Sequence, residues 1–425
     1  MLQEQPDRPR GNDGATREDQ RTLVAMTEDA DHIVPLIFHD AAPLPRRACV
    51  VIIGGGVIGA SIAFHLAAAG VSDIVVIERD ALGSGSSAKP LGGVRATFSD
   101  PGNIVLGQRS LETFERFHEA FKIDIGLQQV GYLFLCRNES ELAALENATR
   151  VQNSLGCSAR MVTPAEAVVL NPIVRQAALL GGSFSPRDGF ARPSKVVKAY
   201  AEAAKQLGAT FCEHTEVLDI QKSAPATHEI HTSRGVITGN ALIIAAGAWS
   251  EKIGEMIGAY LPVEPVRRQI GMTEQRAEPF RTVPFTLDLS TTLYFHNYRS
   301  GLLLGISNAD EEPGFCREFS YQWKSAFDHA AKIIAPSLVH LPLVGGWAGL
   351  YENTPDHNAL IGKAVHLDEV FYATGFSGHG FLQAPAVGEL MRDLYLGRQS
   401  FMDPRSFSAV RFERVQAART EIHII

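Results

Sequence analysis

The sequence predicts an α/β protein, a Rossmann-like domain interrupted by an inserted, mainly antiparallel α+β domain. Three observations carry this. Residues 50–78 run strand, glycine turn, helix, strand and acid in that order; a second glycine cluster at 375–380 opens another helix; and the stretch 262–340 is β-rich.

In the first of these, the β-branched run Val50–Ile53 meets Gly54, Gly56 and Gly59 in the spacing G-x-G-x-x-G, and a small-residue helical pattern follows to Gly70. A second apolar run, Ile74–Ile77, ends in Glu78, 19 residues after Gly59. Gly54 allows the tight turn off the strand, Gly56 lets backbone approach a pyrophosphate, and Gly59 lets helix pack on sheet. Val57 and Ile58 start the helix, whose free N–H groups and positive dipole suit phosphates. Glu78 is placed to accept the ribose hydroxyls of an adenosine. A plain glycine turn is the bland alternative, but strand, helix and acid at these distances favour a dinucleotide. Ala48–Ser72 carries no charge and is long enough to span a bilayer. Three consecutive glycines inside it would each cost a helix about 1 kcal/mol relative to alanine, so it reads as strand, turn and helix.

The Gly/Ser-rich loop 83–100 follows, with Ser86 and Ser87 offering hydroxyls to phosphate and Arg95 facing an anionic group. Asn103–Phe121 has helical apolar spacing, and Val130–Cys136 reads as a strand. Thr163-Pro164-Ala165-Glu166 is a capping box that starts a short helix, and Arg192-Pro193-Ser194 starts a longer one. Short alternating strands at 210–213, 216–220, 229–232 and 235–238 lead into Ala241–Gly247, a buried strand ending at a glycine turn. Strand ends line the ligand crevice of a doubly wound sheet, so Ala246, Gly247 and Trp249 join the cofactor set, with Arg79 and Val217. Strands are expected at 263–273, 292–296 and 302–306 and a helix at 318–334, followed by glycine-rich turns at 345–356. A strand at 370–374 then precedes Gly375-Phe-Ser-Gly378-His379-Gly380-Phe381, which opens a helix to Leu396. His357, in Thr354-Pro355-Asp356-His357, reads as turn chemistry.

Such a second helix end is not needed by a nicotinamide. A flavin needs it, because its reduced ring is anionic and a helix dipole favours that charge. His379 adds a positive neighbour or a hydrogen bond.

The chain has 425 residues and a net charge of −8, which gives no electrostatic case for nucleic acid or anionic membrane. Five scattered cysteines form no C-x-x-C pair and fit free thiols in a reducing compartment, hence a cytoplasmic protein. Residues 1–46 are too polar to build a core and are expected to be a disordered extension, with Met26 an alternative start. Met1–Asp31 holds no hydrophobic segment that could serve as a signal peptide, and no transmembrane segment is expected. The expected domains are 47–130, 186–261 and 341–425 for the cofactor, and 131–185 and 262–340 for the substrate.

The segments GGGVIGASIAFHLAAAG, SSAKPLGGVR, RPSKVVKAYAEAAKQLGA, IIAAGAWS, GLYENTPDHNALIG and GFSGHGFLQAPAVGEL occur in the order found in FAD-dependent D-amino acid oxidase-like enzymes. Over about residues 47–400 the chain resembles the sarcosine oxidase β-subunit, proline dehydrogenase and opine oxidase branch. The resemblance implies a glutathione reductase-type FAD domain and oxidation of a secondary amine or amino acid at its C–N bond. Hydride would pass to flavin N5, and the imine would then hydrolyse. Oxygen or another acceptor would take the electrons, and no general base is assigned. Gly349 stands where monomeric sarcosine oxidases carry the flavin-linking cysteine, so FAD is expected to be noncovalent. Leu382 stands at the place of their carboxylate-binding lysine, and His296 follows Tyr294-Phe295 where related enzymes often have arginine. Arg95, Arg267, Arg268 and His296 are therefore the candidate carboxylate anchors, with Tyr294 in the pocket and His379 at the flavin. The alternatives are an FAD-bearing subunit that passes electrons to a partner, and an FAD enzyme with a non-amine substrate. An NAD dehydrogenase would leave the second glycine cluster unexplained.

Overall fold

The computed structural model describes residues 43–308, 310–412 and 420–421. Most of the expected disordered extension, residues 1–42 with Met26, lies outside the described residues. In chain order the first half contains β1 (Arg47–Ile53), α1 (Val57–Ala68), β2 (Ile74–Ile77), β3 (Gly93–Val94), α2 (Pro101–Glu115), α3 (Phe117–Phe121), β4 (Tyr132–Cys136), α4 (Glu139–Ser154), β5 (Arg160–Val162), α5 (Pro164–Leu170), β6 (Gly181–Ser185), β7 (Gly189–Phe190) and α6 (Pro193–Gln206). The second half adds β8 (Thr210–Cys212), β9 (Val217–Ala224), β10 (Thr227–Thr232), β11 (Gly235–Ile244), α7 (Ser250–Ile257), β12 (Glu264–Thr273), β13 (Phe285–Asp288), β14 (Tyr294–Tyr298), β15 (Gly301–Gly305), α8 (Trp323–Ile334), β16 (Leu343–Asn353), β17 (Leu360–Lys363), β18 (Val370–Thr374) and α9 (Gly380–Tyr395).

Two large sheets organise these elements. The first runs β17-β18-β11-β1-β2-β8, with the β9–β10 hairpin attached to β11. Its centre is parallel: β1 pairs with β2 and β11, and β11 with β18. A central parallel strand is covered on both faces. Val50 and Ile52 accordingly enter one apolar cluster with α1, α6 and α9, while Val51 and Ile53 enter another on the opposite face. The small residues of α1 let it sit close to its neighbours. A Cβ on Gly59 would lie 1.9 Å from the Gly54 carbonyl oxygen, and one on Gly388 of α9 would lie 2.2 Å from Ser61 Oγ.

The second sheet has the order β16-β12-β15-β14-β13-β4-β6-β5 and is antiparallel except where β4 meets β13. Trp323, Phe327 and Ile334 of α8 pack with Leu133, Phe295 and Leu304 beneath it. The expected capping box is present at α5: Glu166 N–H donates to Thr163 Oγ (3.3 Å), and Thr163 N–H donates to the Glu166 carboxylate (2.8 Å).

Several expectations are corrected. The helix expected over 103–121 breaks at Arg116 into α2 and α3, and the helix expected from 318 begins at Trp323. Strands expected at 235–238 and 241–247 are one strand, β11. Helix α4 falls in a stretch given no assignment from sequence, although Asn138 caps it by accepting from Glu141 N–H. The largest correction is at 345–356, where glycine-rich turns were expected. Residues 343–353 instead form β16, paired along its length with β12 in the register Arg268↔Gly349 and Pro265↔Glu352. Its glycines serve close packing: a Cβ at 346 would lie 2.4 Å from the Phe319 ring, and one at 349 would lie 2.6 Å from Lys89 Cβ. β16 therefore belongs to the second sheet, although 341–425 was grouped with the first. Among the described residues no helix is long and apolar enough to cross a membrane, and no cluster of three metal-ligating side chains occurs.

Candidate active site

A cavity opens at the carboxyl ends of β1, β2, β11 and β18 and extends along the face of the second sheet opposite α8. At its first end the backbone turns sharply at Gly54, with φ +112°, and Gly54, Gly56, Val57 and Ile58 line the wall. α1 begins without a side-chain cap, and Val57 N–H donates to Ser87 Oγ at 2.9 Å. The loop hydroxyl thus lies over the helix end, where an anion would be favoured. Ser86 Oγ donates to the Leu350 carbonyl at 2.8 Å, tying the same loop to β16. Glu78, at the end of β2, accepts from Gly55 N–H (2.8 Å) and Asp80 N–H (2.9 Å). Burial raises its pKa, and the two N–H donors oppose the rise. Arg79 lies 4.3 Å over the Trp249 ring, and with Val217, Ala246 and Gly247 they complete this end.

The far end is built from α9, the loop after β3, and strands of the second sheet. Gly378, His379, Gly380, Phe381 and Leu382 line it at the start of α9. Gly378 has φ +90°, and a Cβ there would lie 2.4 Å from the Tyr351 ring. Arg95 is 3% exposed and donates to the Thr97 carbonyl, while Asp188 accepts from Ala96 N–H (3.1 Å) and Thr97 Oγ (2.6 Å). Burial raises Asp188 to about 6. Arg95 Nη2 is 3.5 Å from His379 Nε2. Arginine has no acceptor, so in this contact Nε2 accepts, and the fixed positive charge here belongs to Arg95.

Arg268 enters from β12. Its guanidinium lies 5.5 Å over the Tyr351 ring, Nη1 donates to the Arg267 carbonyl (3.1 Å), and Nε is buried with no hydrogen-bond partner. The walls around it are aromatic: Tyr132 stacks on Phe285 with centroids 4.3 Å apart, and Tyr294 donates to the Gln269 carbonyl at 3.1 Å. Burial raises the pKa of Tyr132, Tyr294 and Tyr351, which keeps all three phenols neutral.

Among the candidate residues, the cavity gathers Gly54, Gly56, Val57, Ile58, Glu78, Arg79, Ser86, Ser87, Arg95, Val217, Ala246, Gly247, Trp249, Arg268, Tyr294, Gly349, Gly378, His379, Gly380 and Phe381. Gly59 and Gly375 do not line it. The first packs against the Gly54 carbonyl, and a Cβ on the second would meet Thr354 Cγ2 at 2.5 Å. His296 is corrected as an anchor: it sits in the core, stacked 4.8 Å from Phe285, with Nδ1 on the Asn297 carbonyl. Burial lowers its pKa to about 4. Arg267 points to the other face of β12, as adjacent strand residues do, and pairs with Glu311 at 2.6 Å. Missed from sequence are Lys89, Tyr132, Phe285, Tyr351 and Glu352, which all line the cavity. Lys89 lies in the segment SSAKPLGGVR and Tyr351-Glu352 in GLYENTPDHNALIG, whereas Tyr132 and Phe285 lie in neither.

The profile of a family described as FAD dependent oxidoreductase matches residues 49–394. The chain is 31% identical over 383 residues to glycine oxidase of Geobacillus kaustophilus, covering 87% of this chain and 98% of that protein. It is 29% identical over 371 residues to mitochondrial dimethylglycine dehydrogenase of Mus musculus, matching 82% of this chain but only 42% of that longer protein. Among solved structures, L-proline dehydrogenase from P. horikoshii superposes with a TM-score of 0.81 at 31% identity, covering 87% of this chain and 99% of that one. Glycine oxidase from Geobacillus kaustophilus superposes with a TM-score of 0.77 at 28% identity, covering 86% and 99%.

Proposed function

The chain belongs to the FAD-dependent oxidoreductase family, and from that premise we propose that it oxidises the C–N bond of an amino acid or secondary amine that carries a carboxylate. The observation that carries this reading is Arg268, a cation on the wall of an aromatic chamber with its buried Nε unpartnered. A guanidinium that lines an aromatic cavity and pairs with no carboxylate among the described residues calls for an anionic partner. The residues also fit the cofactor. Glycine lines the wall at both helix starts, where a side chain would intrude, and Glu78 closes the adenosine end. When bound, FAD supplies the two-electron acceptor for the carbon beside the nitrogen.

The chain's own residues then have three tasks. Arg268 holds the substrate carboxylate, which fixes the α-carbon in the chamber. Tyr132, Phe285, Tyr294 and Tyr351 exclude water while remaining uncharged, so a neutral amine is the favoured guest over its ammonium form. Arg95, with the N-terminus of α9, places positive charge where the reduced cofactor is anionic. The imine product hydrolyses to a carbonyl compound and an amine.

The test is an anaerobic titration of purified FAD-loaded protein with N-methyl amino acids, imino acids and opines. Bleaching by at least one carboxylate-bearing amine is expected, and a loaded flavin that none of them bleaches would defeat the reading. Because a Cβ at position 349 would collide with Lys89, a linking side chain has no room there. Acid precipitation is therefore expected to release the flavin into the supernatant; flavin retained in the pellet would contradict this.

A further inference from the structure

Glu352 has no part in the steps above, yet it lines the cofactor cavity. Thr374 Oγ1 (3.1 Å) and Gly375 N–H (3.2 Å) donate to its Oε2, and Phe376 N–H also donates to the carboxyl. No cation forms an ion pair with it among the described residues. Its oxygens face the two glycines of the neighbouring turns: a Cβ at 247 would lie 3.4 Å from Oε2, and one at 380 would lie 3.7 Å from Oε1, both ordinary contact distances. The carboxyl therefore sits where the ends of β11 and β18 and the start of α9 converge.

We propose that Glu352 is a positioning residue for the cofactor's redox state, supporting the reduced flavin when neutral and opposing it when ionised. This rests on the FAD reading above. Reduction places negative charge on the flavin, and an ionised carboxylate in the same low-dielectric cavity repels it. By linkage, each negative charge raises the proton affinity of the other site. Burial already raises Glu352 to about 7, against the hydrogen bonds from Gly375, Thr374 and Phe376. The titratable groups on the surrounding elements are His379 at the start of α9, Tyr351 beside it, Arg268 across β12, and Glu264, Glu251 and Lys252. The last three are exposed. Arg95 stands beyond His379, with Nη2 3.5 Å from its Nε2.

The test is the midpoint potential of the bound flavin against pH, measured anaerobically in wild type and in Glu352→Gln, which keeps the shape but cannot ionise. The loading spectrum is recorded first, so the FAD reading fails there and this one only in the potentials. Below about pH 7 the two curves should keep a constant offset. Above it the wild type should become harder to reduce, its reduced-to-oxidised ratio falling about tenfold relative to the variant, or about 30 mV for a two-electron couple. Curves that stay parallel throughout would overturn the proposal. If Glu352→Gln does not load with FAD, Thr374→Val decides. It removes a donor to the carboxylate and should move the wild-type break to higher pH; an unmoved break would overturn the proposal.

Discussion

Arg268→Ala is expected to lower kcat/KM for a carboxylate-bearing amine by roughly 30- to 1000-fold, corresponding to a charge-assisted contact worth about 2–4 kcal/mol. The loss should fall mainly on KM, because a carboxylate anchor grips ground state and transition state alike. Arg268→Lys should recover part of it, since a lysine keeps the charge but not the planar fork. Retention of FAD should be unchanged. A carboxylate-free amine of the same size provides the control. If its turnover falls equally in Arg268→Ala, Arg268 supports the fold of β12 and holds no substrate.

Gly54→Ala is expected to abolish FAD binding and to destabilise the protein by several kcal/mol. Two effects coincide at this position. Its φ of +112° is one that side chains rarely adopt, and the new Cβ would lie 2.2 Å from the Ala245 carbonyl oxygen. That carbonyl belongs to a segment held by Ala245 N–H donating to the Ile53 carbonyl at 2.8 Å, so it has little freedom to retreat. Gly70→Ala separates strain from collision, because Gly70 has φ +90° but open space around it. It should cost only about 1–2 kcal/mol and keep its flavin. Thermal unfolding with and without added FAD measures both variants. Equal loss in the two would mean that backbone strain alone accounts for Gly54.

The cofactor end was legible in the sequence because its physics is local. Gly54, Gly56, Ser87 and Glu78 fall within one short stretch, and each role follows from a residue type at a fixed spacing. His379 and the start of α9 were legible for the same reason. The substrate end was not. Arg268 could not be separated from Arg267 without knowing which face of β12 meets the cavity, and a strand's phase is fixed only by its partners. Tyr132 and Phe285 meet because β4 pairs with β13, about 150 residues apart in sequence. His296 was placed by analogy at a position where the side chain turns into the core. β16 was misread because glycines usually mark turns, whereas here they admit a neighbouring ring and a lysine stem.

The parallel sheet also has a consequence for how the protein is made. β1 is made about 180 residues before its partner β11, and β18 closes that side of the sheet about 320 residues after β1. At elongation rates of roughly 5–20 residues per second, the interval is tens of seconds. Throughout it, the charge-free segment Ala48–Ser72 lacks the β11 and α9 surfaces that later cover it. The strand and helix that hold the pyrophosphate end of the cavity are thus made well before the surfaces that bury them, so the cofactor wall cannot close until most of the chain is synthesised.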